Sequence, residues 1–300
     1  MRICSLSPFA TEVLLSLGAG SSLVGVSWDC LHMPEVAGLP VVARWRLGPE
    51  SLGEFDEAHE QRAPLYSLDE EALLACSPTL IITQDICPIC HPSSDAVFRN
   101  LRAKGLAPKV FPLEIRSLRE GLEGTLQIGR LVGKLGEAQA LVRRLRARSE
   151  ELLSRTLGLS VRPKVLSLEW PEPPHVSGFW VPEAIYLAGG TDGLGLPGRP
   201  HFKLKEGEAE AYAPDVILLA SRFLDLETLL HVAQGPLLRA LRTKLPSVKL
   251  YALEARRLLA SPGAGLYEAL PLLAKLLHPA LFGELSEQER LQAIEVPAQG

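Results

Sequence analysis

The segment Cys87-Pro88-Ile89-Cys90-His91 gathers two thiols and an imidazole within five residues, a spacing that fits several chemistries. As Cys-x-x-Cys-His it fits covalent haem attachment, which takes place outside the cytosol. As a metal site, Cys87, Cys90 and His91 supply three ligands for zinc or iron, with Asp85, Cys30 or His32 as a fourth. Structural zinc usually draws on a second Cys/His pair at short spacing, and the chain has none. As a redox pair, the thiols stand between a strand-like run and a helical run from Asp95 to Lys104, where a helix amino terminus would lower a thiol pKa. Two unpaired thiols lining a pocket are the fourth reading.

Other residues point to binding rather than to reaction. No G-x-S-x-G, Walker loop or H-E-x-x-H occurs, and no nucleophile stands beside a base, so an enzyme is not expected. Gly193-Leu-Gly195-Leu-Pro-Gly198 satisfies G-x-G-x-x-G, but it follows a helical run and Pro197 interrupts any helix start, which argues against dinucleotide binding.

The elements that must hold these residues follow from apolar runs. Strands are expected at Ile3 to Leu6, Leu23 to Ser27, Thr79 to Thr83, Val110 to Leu113, Val165 to Leu168, Val216 to Ala220 and Leu250 to Leu253. Helical patterns alternate with them, giving an α/β class with mainly parallel sheets. A loop from Ser7 to Ala10 leads to a helix from Thr11 to Leu17. The halves echo each other: Ser77-Pro-Thr-Leu-Ile-Ile82 against Ala213-Pro-Asp-Val-Ile-Leu218, and Lys109-Val-Phe-Pro-Leu-Glu114 against Lys249-Leu-Tyr-Ala-Leu-Glu254. Two similar Rossmann-like lobes are expected, residues 1–135 and 159–300, joined by one long stiff helix over 136–158.

In such sheets ligands bind beyond the carboxyl ends of the strands. All four tryptophans, Trp28, Trp45, Trp170 and Trp180, fall in segments read as post-strand loops, which suggests an aromatic-lined pocket for a large, partly apolar ligand. His32, His91, His175 and His201 lie in or near the same loops and could ligate a metal carried by that ligand.

With 300 residues, 47% hydrophobic composition and a net charge of -4, the chain has room for two cores but no basic block for nucleic acid and no apolar run for a membrane span. Pro8 and Glu12 interrupt the apolar opening where an export signal needs continuity, so the chain as written reads as cytoplasmic. A single asparagine beside 24 prolines fits a heat-adapted source.

The opening Arg2-Ile-Cys-Ser-Leu-Ser-Pro-Phe-Ala-Thr-Glu-Val13 and Leu17-Gly-Ala-Gly-Ser-Ser-Leu-Val-Gly-Val26 resemble the helical-backbone (class III) periplasmic binding proteins for cobalamin and iron chelates. So do Asp29-Cys30, Leu39-Pro-Val-Val42, Glu169-Trp170, Trp180-Val-Pro-Glu183, Ala188-Gly-Gly190 and Ser261-Pro-Gly263, in order along nearly the whole chain. The branch described as cobalamin-binding looks closest and often carries cysteines at the positions of Cys87 and Cys90. The resemblance implies a chelate held between two lobes and handed to an ABC importer, in proteins usually found in the periplasm or cell envelope. No resident cofactor is required; the cargo is a corrinoid or other metal chelate. Trp28, Trp45, Trp170, Trp180 and Phe179 would give flat apolar contact, and Asp29, Gln84, Arg222 and a histidine polar contact at the ligand edge. Two departures stand out: Phe179 replaces a histidine of that branch, and Ala220-Ser-Arg-Phe223 replaces a Pro-Cys-Gly-Phe-like segment. The rival readings are a metal- or thiol-dependent enzyme or sensor built on Cys87, Cys90 and His91, and a scaffold whose cleft is empty.

Overall fold

The computed structural model describes residues 1–46, 63–87, 89–103 and 107–297, with residues 54, 57, 58, 60, 61 and 105. Leu47, Pro88 and Lys104, which took part in the sequence expectations, lie outside the described residues. The chain forms two compact units, Met1–Ile115 with Arg119–Arg144, and Arg116–Leu118 with Leu145–Gly300.

In the first unit, six strands form one sheet: β1 (Ile3–Ser5), β2 (Leu23–Ser27), β3 (Val41–Trp45), β4 (Tyr66–Leu68), β5 (Leu80–Gln84) and β6 (Lys109–Leu113), in the order β4-β3-β2-β1-β5-β6. All neighbours are parallel except the marginal pair β3 and β4. The central strand β1 is shut off from solvent, and Leu6, Val42, Leu73, Ile81 and Val97 pack beside it. Such near-continuous apolar burial is what a parallel strand covered on both faces requires. The helix expected from Thr11 begins earlier, at Pro8. Ser7 is extended and accepts the Ala10 N–H, while Pro8, with no N–H to satisfy and a fixed φ, fills the first helical position. What read as a loop is a cap and a first turn.

The second unit holds β7 (Lys164–Pro171), β8 (Pro174–Val176), β9 (Thr191–Asp192), β10 (Phe202–Lys203), β11 (Val216–Leu219), β12 (Lys249–Leu253) and β13 (Ala293–Glu295). Their order is β10-β8-β7-β11-β12-β13, with β9 beside β7. The sheet is parallel through β7, β11 and β12, and its antiparallel pairs lie outside that centre. The sequence echo is a register echo. Ile3, Leu80 and Lys109 lie side by side across the first sheet, as Val165, Val216 and Lys249 do across the second. The halves diverge on the far side of the central strand, where the first sheet continues with parallel β2 and β3 and the second with a hairpin of β7 and β8.

A helix of 22 residues, Leu135–Thr156, starts in the first unit and ends in the second, the unit boundary falling at Arg144 and Leu145. At 1.5 Å per residue it is about 33 Å long. Ala138, Leu141, Val142, Leu145 and Leu152 form its buried stripe. The short segment Arg116–Leu118 belongs to the second unit. There the Leu118 N–H donates to the Glu183 carboxylate at 2.7 Å, and its carbonyl accepts from the Tyr267 hydroxyl at 3.4 Å. No helix among the described residues is long and apolar enough to cross a membrane.

Candidate functional site

Each unit gathers chemistry-bearing side chains at the carboxyl ends of its central strands. In the first, Trp28 directly follows β2 and Trp45 is the last residue of β3, so parallel pairing brings the two indoles together with ring centres 5.5 Å apart and planes inclined by 34°. Both are half-buried. Asp29 next to Trp28 accepts a short hydrogen bond from the Ser27 hydroxyl, and its second oxygen lies 3.3 Å from His91 Nδ1. His32 places Nδ1 2.8 Å from the Asp29 carbonyl. A carbonyl can only accept, so Nδ1 carries a proton in this contact. Gln84, the last residue of β5, accepts from the Ser7 hydroxyl at 2.8 Å, which fixes its amide beside the start of the Pro8 helix.

The Cys87 to His91 segment resolves the open alternatives. Cys87 and Cys90 form a disulfide with Cα atoms 5.4 Å apart. Neither sulfur is then a thiolate ligand, and the set Cys87, Cys90 and His91 does not assemble as a metal site; no group of three or more His, Cys, Asp and Glu with metal-binding geometry occurs among the described residues. Cys30, named as a fourth ligand, is a buried thiol within reach of the Thr11 and Ser27 hydroxyls; burial and the adjacent Asp29 push its pKa up. The helix amino terminus expected beside the thiols is taken by a carboxylate. Asp85 occupies that terminus, its carboxylate accepting from the Ser94 N–H at 3.0 Å and from the Ser94 hydroxyl. The helix itself runs over Ser94–Ala103.

In the second unit, Glu169 near the end of β7 is the hub. Its Oε1 lies 3.1 Å from Arg222 Nε and its Oε2 3.3 Å from His201 Nδ1. Burial opposes ionisation, but His201, Arg222 and His175 outweigh it and hold the carboxyl down at about 2. The Arg222 guanidinium stands 4.7 Å over the Phe223 ring, and Phe223 meets Trp170 edge-on at 6.1 Å. His201 in turn meets His175 edge-on at 6.0 Å.

Beside this cluster is a cavity of about 30 Å³ bordered by Glu169, Phe179, Trp180, Arg222 and Leu259, room for about a water molecule rather than for a macrocycle. Phe179 and Trp180 stack with centres 5.7 Å apart, and Trp180 Nε1 donates to the Leu259 carbonyl at 2.8 Å. Phe179 has φ of 52°, a left-handed value rare for a bulky residue. Its N–H donates to Arg199 at 2.6 Å and its carbonyl accepts from Gly198 at 2.9 Å, so backbone bonds to the Gly198 turn hold it there. The preceding residue must be glycine, because a Cβ on Gly178 would sit 2.2 Å from the Arg199 oxygen.

Two tryptophans are not where the loop reading put them. Trp45 ends β3, and Trp170 lies inside β7 with 1% exposure, its indole packed away with Phe223. Both sit at strand ends where a polar neighbour (Arg46, Glu169) disguises the apolar run. The glycine-rich segment has a local purpose. Asp192 accepts from the Leu194 and Gly195 N–H groups, and side chains on Gly193 or Gly195 would collide with Tyr212 or with Asp192 itself. Glu169 was not singled out as a site residue; a carboxylate one position before a tryptophan inside an apolar strand was the signal that marked it.

No protein-family model matches the chain, and no curated protein matches it in sequence. Solved structures do match. A periplasmic heme-binding protein from Pseudomonas aeruginosa is 20% identical, covers 100% of this chain and 99% of its own, and gives a TM-score of 0.74. The periplasmic vitamin B12 binding protein BtuF of Vibrio cholerae is 20% identical over 93% of this chain and 97% of its own, with a TM-score of 0.66. The heme-binding protein RhuT from Roseiflexus sp. RS-1 is 22% identical over 94% of this chain and 97% of its own, with a TM-score of 0.64.

The fold is the one these periplasmic heme-binding and vitamin B12-binding proteins share. Within that binding-protein fold, both clusters occupy the strand ends where open α/β sheets take ligands.

Proposed function

We propose that the chain is a non-enzymatic binding protein that captures a metal chelate of the corrinoid or haem class and passes it to an ABC importer, working in the periplasm or cell envelope. The likeness to heme- and vitamin B12-binding proteins supports the class of cargo. The observation that carries the reading is the half-buried pair Trp28 and Trp45 at the carboxyl ends of β2 and β3, with Asp29 and His32 next along the chain from Trp28 and Gln84 at the end of β5 in the same sheet. Flat, partly solvated indoles give a large apolar face at little ordering cost, and the neighbouring polar groups suit amides or carboxylates at a macrocycle's edge. His32, an imidazole held by the Asp29 carbonyl, is suited to a metal whose axial position is open.

In the second unit we assign polar contact to the partly exposed Arg222, with Phe179, Trp180 and Trp170, at 6%, 4% and 1% exposure, as buried support behind it. We assign the functional lobes to 1–135 and 159–300, joined through the helix that runs over Leu135–Thr156 rather than the expected 136–158. The chelate is cargo, and no resident cofactor is needed.

The test is quenching of tryptophan fluorescence by cyanocobalamin and by haemin. Micromolar or tighter quenching is expected for one of them. Trp28→Ala or Trp45→Ala should weaken it by roughly tenfold each, the scale of about 1.4 kcal/mol for losing a stacked aromatic anchor. Absence of quenching and of calorimetric heat at high micromolar concentration for both chelates overturns the reading.

A further inference from the structure

The disulfide joins the two ends of the turn that braces the paired indoles. The Cys87 carbonyl accepts from both the Cys90 and the His91 N–H at 3.2 Å, so the sulfur bridge and two backbone bonds close the same loop. On one side this turn presents His91, 3% exposed, to Asp29, the residue next to Trp28. On the other, the Ile89 carbonyl accepts from the Leu65 N–H at 2.9 Å, and the following residue, Tyr66, faces Trp45 across the β3 and β4 pairing. Both indoles are thus positioned through a segment that is held in shape by one reducible bond. The nearby helix terminus is taken by Asp85, whose carboxylate accepts from the Ser94 N–H. Cys87 and Cys90 are themselves buried, at 6% and 2% exposure, so the bond is an internal brace between His91 and Ile89.

We propose that the Cys87–Cys90 bridge positions the Trp28 and Trp45 face, and that its reduction by a dithiol loosens that face and weakens chelate binding. The ligand part rests on the function proposed above. In the exchange, a dithiol's thiolate attacks one sulfur, giving a mixed disulfide and a cysteine thiolate that takes up a proton. The dithiol's second thiol then closes its own ring and releases the other cysteine. Two electrons and two protons pass from dithiol to protein.

The experiment uses the full chain, oxidised or reduced with dithiothreitol and freed of it without air. Mass spectrometry after alkylation confirms two new thiols beyond buried Cys4, Cys30 and Cys76. The expected result is an affinity for cyanocobalamin or haemin lowered about tenfold, with the same loss in a Cys87→Ser, Cys90→Ser double variant. The near-ultraviolet circular dichroism of the indoles, measured without chelate, should change with it. Equal affinity of oxidised and verified reduced protein overturns the proposal and leaves the function standing. If neither form binds either chelate, the function fails and the dichroism alone decides: a spectrum unchanged by reduction overturns the bridge-positioned face as well.

Discussion

Glu169 has Arg222 against one carboxylate oxygen and His201 against the other, an arrangement whose worth depends on pH. Its carboxyl is held at about 2 in the fold, against an ordinary 4.5. A depressed carboxyl contributes in full above 4.5, and the contribution is lost as pH falls from there towards 2. The difference amounts to about 3 kcal/mol. Denaturant unfolding at pH 7, 4 and 2.5 should show this loss, and Glu169→Gln should be less stable at pH 7 by about 2–3 kcal/mol while flattening that stretch of the profile. An unaltered acid profile in the variant would sink the assignment. Some site residues were legible one by one. Trp28, Asp29 and Gln84 follow or end apolar strands as read, because a parallel strand's carboxyl end is visible in its hydrophobic run. The state of Cys87 and Cys90 was not legible, since the same spacing serves a bridge, a metal and two free thiols, and only the path of the chain decides.

At the scale of elements, the conformation of Phe179 is set by the residue before it. Gly178→Ala would force Cβ against the Arg199 oxygen at 2.2 Å, which the backbone can relieve only by breaking the hydrogen bonds that hold Phe179. A loss of about 2–4 kcal/mol is expected, with Trp180 released from Leu259 and its fluorescence shifted to the red. Thermal unfolding and emission spectra check it; an unshifted spectrum would show that the turn tolerates the methyl group. The central strands and the Leu135–Thr156 helix could be read in the sequence because a buried parallel strand and an amphipathic helix each impose a period. The hairpin of β7 and β8 could not. Pro171, Pro173 and Pro174 interrupt the pattern, and the pairing Leu168 with Val176 shifts register before Trp170 meets His175. Likewise β3 was hidden in a long segment read as loop, since its Arg44 and Trp45 broke the apolar run that marked its neighbours.

For the whole molecule, cargo that binds only the folded chain must stabilise it. At a concentration about 100-fold above its dissociation constant, a chelate adds about 2.7 kcal/mol, which for a chain of this size raises Tm by roughly 5 °C or more. Differential scanning calorimetry with and without cyanocobalamin or haemin measures this, and a chelate that quenches fluorescence but leaves Tm unchanged would be binding the unfolded chain equally well.

The segment Arg116–Leu118 gives the molecule a property its linear order conceals. Someone cutting the gene at the long helix to obtain the carboxyl-terminal half alone would leave out Leu118, the backbone plug that meets Glu183 and Tyr267. That truncated piece would lack the two Leu118 bonds to Glu183 and Tyr267, and a short synthetic peptide spanning the missing residues should bind it and restore its cooperative melting.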